Sequence, residues 1–114
     1  MIENEKRKTN RVDSINLLNY VYFDENGNEE SQGMGRTLNV SESGILLETH
    51  AVLQLQHKVS LNICFEESMV DIKGKVIFTN QNKQGHSESG IQFMDVSDDA
   101  CAVLKKYVQA FCAQ

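Results

Sequence analysis
Apolar and polar residues alternate along most of this chain, and only near the C-terminus does the period lengthen. Val59, Leu61, Ile63 and Phe65 alternate with Ser60, Asn62 and Cys64, a period of two that predicts a strand with one buried and one wet face. The next segment repeats the pattern, with Val70, Ile72, Gly74, Val76 and Phe78 inward against Asp71, Lys73 and Lys75. A glycine at an inward position such as Gly74 marks a bend or bulge, which closing a sheet requires. Residues 14–23 read as a strand with Ile15, Leu17, Val21 and Phe23 on one face and Leu18, Tyr20 and Tyr22 on the other. Asp24-Glu25-Asn26-Gly27-Asn28 then makes a turn, Asn-Gly being a favoured hairpin pair. Further strands are expected over 34–40, 45–49 and 90–94, with a polar loop over 80–89. In the 34–40 strand Leu38 and Val40 face inward and Thr37 and Asn39 outward.

Beyond residue 96 the period changes. Ser97 caps a helix with Asp98 and Asp99 in its first turn, where the macrodipole favours negative charge. Cys101, Leu104, Val108 and Phe111 follow at spacings of three and four, one apolar stripe to pack on the sheet. Six short strands, no proline and one terminal helix imply an all-β chain closed as a six-stranded antiparallel β-barrel, since closure removes exposed edges.

Composition narrows the reading further. At 114 residues the chain is one domain able to bury a core. Its apolar runs are too short to span a membrane, and its acidic, polar start is unlike a signal peptide, so a cytoplasmic location is expected. Cys64, Cys101 and Cys112 lack paired spacing and are expected to be buried structural thiols. His50, His57 and His86 have no metal-ligand spacing, so neither a metal nor a resident cofactor is expected. A net charge of −5 disfavours nucleic acid and acidic membranes. Yet Lys6, Arg7, Lys8 and Arg11 crowd into residues 1–13, which have no hydrophobic period and read as an arm. A local cationic arm on an acidic protein suits a small anion.

Two short patterns carry the candidate chemistry. Arg7-Lys8-Thr9-Asn10-Arg11 spaces two guanidiniums four residues apart, planar forks suited to phosphate oxygens and to the O6/N7 edge of guanine. Asn39-Val40-Ser41-Glu42-Ser43-Gly44 sets an amide, two hydroxyls and a glycine before the run Ile45-Leu46-Leu47, predicting a polar corner with free backbone N–H groups. Gly44 there can take a positive φ without penalty. Ser41-Glu42-Ser43-Gly44-Ile45 recurs as Ser87-Glu88-Ser89-Gly90-Ile91, which reads as one turn used twice to launch a strand rather than as a duplicated anion loop.

In this order the patterns resemble the signature of the PilZ domain, a family of bacterial cyclic di-GMP receptors: Arg-x-x-x-Arg, then Asp/Asn-x-Ser-x-x-Gly. The resemblance extends to Gly44-Ile45-Leu46-Leu47-Glu48-Thr49 and to Gly90-Ile91-Gln92-Phe93-Met94-Asp95 leading into the helix, nearly the whole chain. Asn39 stands where Asp is commoner, so an anionic acceptor is lost. The resemblance implies a split-barrel fold over residues 14–114 that binds cyclic di-GMP on its outside, with the arm folding over the ligand. Arg7, Arg11, Asn39, Ser41 and Gly44 are the implied ligand contacts. Lys6 is long enough to reach a second nucleotide stacked on the first. The implied role is a receptor that changes conformation on binding and regulates an effector protein in motility, adhesion or exopolysaccharide control. No paired carboxylates, activated nucleophile or metal set points to an enzyme. The alternatives are a PilZ-like adapter acting through protein contacts alone, and a small nucleic-acid-binding barrel, which needs stacking aromatics along a basic groove.

Overall fold
The structure is a computed structural model that describes residues 17–113. Six strands run in chain order: β1 (Leu17–Phe23), β2 (Glu29–Val40), β3 (Gly44–Thr49), β4 (Lys58–Phe65), β5 (Ser68–Gln81) and β6 (Ser87–Met94). A single helix, α1 (Asp98–Cys112), follows. The strands close into an antiparallel barrel in the order β1-β2-β3-β6-β5-β4, so every strand has two neighbours. The expected barrel and terminal helix are both present.

Alternation builds the interior as the sequence implies. Leu18, Tyr20 and Tyr22 of β1, Ile45 and Leu47 of β3, and Val59, Leu61 and Ile63 of β4 are all buried. Each such side chain gains about 1.5–3 kcal/mol over the exposed state. Between β1 and β2 the turn is pinned as anticipated: Asp24 N–H donates to Asn28 O at 2.8 Å and Gly27 N–H to Asp24 O at 3.0 Å. Gly27 has φ +83°, where a side chain would be strained.

Three irregularities interrupt the pairing: one lies at the β1–β2 turn, where the register shifts between Tyr22 and Phe23, and the other two are bulges that shift the phase of the alternation. The first bulge, between Thr37 and Asn39, leaves Leu38 as the extra residue opposite β3. Thr37 therefore faces inward, 1% exposed, where uninterrupted alternation from Val40 would send it out. Its hydroxyl meets that of Tyr107 at 2.9 Å, joining β2 to the helix. Burial pushes the Tyr107 phenol up from its ordinary pKa, partly offset by the Thr37 bond. The second bulge, between Val76 and Phe78, sits at Ile77 and not at Gly74. It turns Phe78 outward, 51% exposed, against the inward expectation. Gly74 instead makes room for core packing, because the methyl carbon Cγ2 of Ile91 fills the space its Cβ would need.

Other boundaries and side chains differ as well. β2 begins at Glu29, while β5 runs to Gln81 and β6 starts at Ser87, which reduces the expected 80–89 loop to residues 82–86. Polar composition mimics a loop there, but pairing on both flanks of β6 with β3 and β5 holds Ser87 and Ser89 in strand. The helix begins as expected, Ser97 Oγ accepting from Ala100 N at 3.1 Å. Its buried face is Ala100, Leu104 and Tyr107, slightly rotated from the expected stripe because Ala100 and Tyr107 take the centre. The cysteines are not the buried thiols expected. Cys64 and Cys112 are exposed and Cys101 is half-buried, since each occupies the outer face or flank of its element. Among the described residues no group of three or more His, Cys, Asp or Glu could hold a metal ion, and no helix is long and apolar enough to cross a membrane.

Candidate functional site
Where β2 reverses into β3, the loop at residues 41–43 opens onto a shallow concavity of about 300 Å³ lined by Asn39, Ser41, Ser43 and Gly44, together with Ile77 and the β6 residues Gly90 and Gln92. Three residues anticipated from the sequence, Asn39, Ser41 and Gly44, are thus brought together on the outer wall. Arg7, Arg11 and Lys6, with the rest of the proposed arm, lie outside the described residues.

Local bonding gives each of the three a definite state. Alternation from the buried Val40 aims Asn39 outward, and the Leu38 bulge lies beyond it, toward Thr37. Asn39 Oδ1 accepts from Val40 N at 3.0 Å, which leaves a second lone pair and both Nδ2 protons for a ligand. Ser41 N–H donates to Gly44 O at 2.8 Å, and Ser43 N–H donates to Ser41 Oγ at 3.3 Å. Two N–H groups expected to be free are therefore engaged within the turn. The Ser41 and Ser43 hydroxyls sit 3.1 Å apart on the exposed surface, a paired polar edge whose outer lone pairs face solvent. Phe93 N–H donates to Ser43 O at 2.9 Å and ties the turn to β6.

Gly44 is needed for closeness rather than for an unusual backbone. The positive-φ glycines are Gly27 and Gly85, so the left-handed conformation allowed for in the sequence is not used at Gly44. Instead, a Cβ there would stand 2.7 Å from Ile91 O, too near a backbone atom that neighbouring pairing holds in place.

The floor of the site follows from strand register. One outward row runs Phe78–Gly90–Leu46–Asn39 across β5, β6, β3 and β2. Gly90 lacks the side chain that would stand 3.1 Å from Phe78 Cβ, so the phenyl ring lies over it. Ile77 and Phe78, both about half exposed, give apolar surface beside the polar loop. Gln92, Gly90, Ile77 and Phe78 were not anticipated at the site. The consecutive apolar Val76-Ile77-Phe78 breaks period two, and that break was the available signal. Gln92, by contrast, is an ordinary outward strand residue, and only the β3–β6 pairing of Gly44 with Gln92 brings it here.

Arg36 and Glu48, on the neighbouring stretches of β2 and β3, are partnered. Arg36 Nε lies 3.6 Å from Glu48 Oε1, and Asn82 Nδ2 donates to Glu48 Oε2 at 2.6 Å. His86 Nδ1 stands 3.6 Å from the same carboxylate. Arg36, three residues before Asn39, is thus already partnered. The described lining thus offers amide, hydroxyl and apolar surface side by side.

Comparison with known proteins places this geometry. A family model described as PilZ domain matches residues 5–110. No curated protein sequence matches. Among solved structures, the inhibitor of motility MotI/DgrA of Bacillus subtilis is similar at TM-score 0.61 and 15% identity, over 86% of this chain and 48% of that one. The PilZ domain of YcgR from Escherichia coli, solved with c-di-GMP, is similar at TM-score 0.59 and 14% identity, over 85% and 82% of the two chains. MrkH of K. pneumonia is similar at TM-score 0.58 and 15% identity, over 84% and 45%. The chain spans about half the length of MotI/DgrA and of MrkH.

Proposed function
The chain belongs to the PilZ domain family, and on that premise we propose that it is a cyclic di-GMP receptor that regulates an effector protein. The observation that carries the reading is the outer-wall concavity in which Asn39, Ser41 and Gly44 converge beside an apolar floor. Its chemistry suits a guanine: Asn39 offers amide groups to the base edge, Gly44 lets the ligand approach the backbone, and Ile77 and Phe78 give a face to pack against. Arg7 and Arg11 of the arm, residues 1–13, supply the guanidiniums for phosphate and guanine, and Lys6 reaches outward to a second stacked nucleotide.

In this reading the output is mechanical. The arm and the bound ligand together form the surface that the effector recognises. The process controlled is motility, adhesion or exopolysaccharide production, and the protein works in the cytoplasm without catalysing a reaction.

Isothermal titration with cyclic di-GMP tests the reading directly. Charge-assisted bonds of about 1.5–3 kcal/mol predict that Arg7→Ala or Arg11→Ala weakens binding roughly 10- to 150-fold. Wild-type affinity in either variant sinks the assignment of the arm.

A further inference from the structure
The concavity that faces an anionic ligand has no cation among its described lining residues. Arg36 is engaged by Glu48. Strand register shows where the next positive charge lies. Gly44 pairs with Gln92, Gln92 with Lys75, and Lys75 with Lys58, one row across β3, β6, β5 and β4. Directly paired residues share a face. Ile91 and Val76, the chain neighbours of Gln92 and Lys75, are in the core, so the row faces out. At a strand spacing of about 4.8 Å, Lys75 starts one strand from Gln92 and about 10 Å from Gly44, and its four-carbon stem spans much of that gap. It approaches from β5, opposite the Asn39 side.

The lysines around this position are unusual for an acidic chain. Lys73, the next outward residue of β5, pairs with Ser60 and Met94. Neither Lys58, Lys73 nor Lys75 has a carboxylate within ion-pair distance among the described residues. The nearest acid on β5, Asp71, takes a bond from Asn62 at 2.9 Å. Three like charges without an ion-pair partner on one wall repel one another, with Asp71 offsetting only the Lys73 end, and a bound anion relieves that repulsion. Lys58 and Lys73 are exposed, whereas Lys75 is half-buried. Packing confines the Lys75 stem, so less conformational freedom is lost when it holds a ligand.

We propose that Lys75, flanked by Gln92 and reinforced by the field of Lys58 and Lys73, is a phosphodiester contact on the barrel wall. It takes the ligand's phosphate from the side opposite the loop. The assignment rests on the cyclic di-GMP reading above and extends it to a residue outside both sequence motifs.

Titration of cyclic di-GMP into wild type, Lys75→Gln, Lys75→Arg, Lys73→Gln and the helix control Lys105→Gln tests it, with melting curves confirming that each folds. A partly exposed ionic contact predicts a loss of about three- to tenfold in Lys75→Gln, with Lys75→Arg and Lys73→Gln within about twofold of wild type. Lys105→Gln should match wild type. Wild-type affinity in Lys75→Gln overturns the inference and leaves the receptor reading standing. Equal losses in Lys73→Gln and Lys75→Gln also overturn it, because a diffuse field would then explain both. If wild type itself fails to bind cyclic di-GMP, both readings fall.

Discussion

The segments Ser41-Glu42-Ser43-Gly44-Ile45 and Ser87-Glu88-Ser89-Gly90-Ile91 are identical in sequence and opposite in structure. The first opens as a surface turn over residues 41–43, whose serine hydroxyls face one another, and enters β3 only at Gly44. The second is the start of β6, with Ser87 and Ser89 buried and their hydroxyls without a hydrogen-bond partner among the described residues. The two copies meet, since Ile45 pairs directly with Ile91 and the strands then run apart antiparallel. Flanking strands make the difference. Ser89 lies between Leu47 of β3 and Thr79 of β5, so its backbone is committed to two ladders. Ser41 and Ser43 stand where β2 must reverse into β3, and their polar groups close the turn. Identical residues thus make a candidate binding edge at one place and a sheet interior at the other.

The glycines give the sharpest way to break this comparison. Gly44→Val forces a Cβ to within 2.7 Å of Ile91 O in the β3–β6 seam, and overpacking against backbone costs about 3 kcal/mol. The melting temperature should fall by roughly 10–20 °C, and binding should fail with it. Gly90→Val meets Phe78 Cβ at 3.1 Å, a milder approach that a shift of a few tenths of an ångström relieves, so the cost is about 1 kcal/mol. Equal destabilisation in thermal melts would contradict the distinction between these two degrees of close approach.

The serines should respond with opposite readouts. Ser89→Ala removes a buried hydroxyl that has no partner among the described residues, so stability should rise by about 1 kcal/mol. Ser41→Ala should hardly move the melting temperature but should weaken cyclic di-GMP binding about threefold to tenfold. A binding loss in Ser89→Ala comparable to that in Ser41→Ala would mean that the second copy is also part of the site.

Asn39→Asp carries the smallest expected effect. The Oδ1 atom already accepts from Val40 N, and a carboxylate keeps that bond while strengthening the acceptor offered to guanine N–H groups. Affinity should stay equal or tighten by less than about tenfold. A tenfold loss in titration would instead show that the Nδ2 protons are the groups in use.

Much of this was legible beforehand, for identifiable reasons. Clean alternation in residues 59–65 marks which side chains enter the core because a strand's side chains alternate whatever surrounds it. The Asp24 to Asn28 turn and the Ser97 cap were also legible, because their bonds close within a few residues. At the site, Asn39, Ser41 and Gly44 were legible as a local motif. Lys75, Gln92 and Phe78 were not, since each arrives from a distant strand and looks like ordinary outward or apolar sequence until register is known.

Local chemistry in the sequence by itself therefore determined the number of main elements, the polarity of most faces and the position of the polar corner. Only the tertiary structure decided what the bulges at Leu38 and Ile77 do: Thr37 turns inward to Tyr107, and Phe78 turns out across Gly90. A bulge exists only between paired strands, so a single strand's pattern cannot specify it. The same holds for the repeated Ser-Glu-Ser-Gly. Those four residues permit both a turn and a strand, and the neighbours that hydrogen-bond to each copy choose between them.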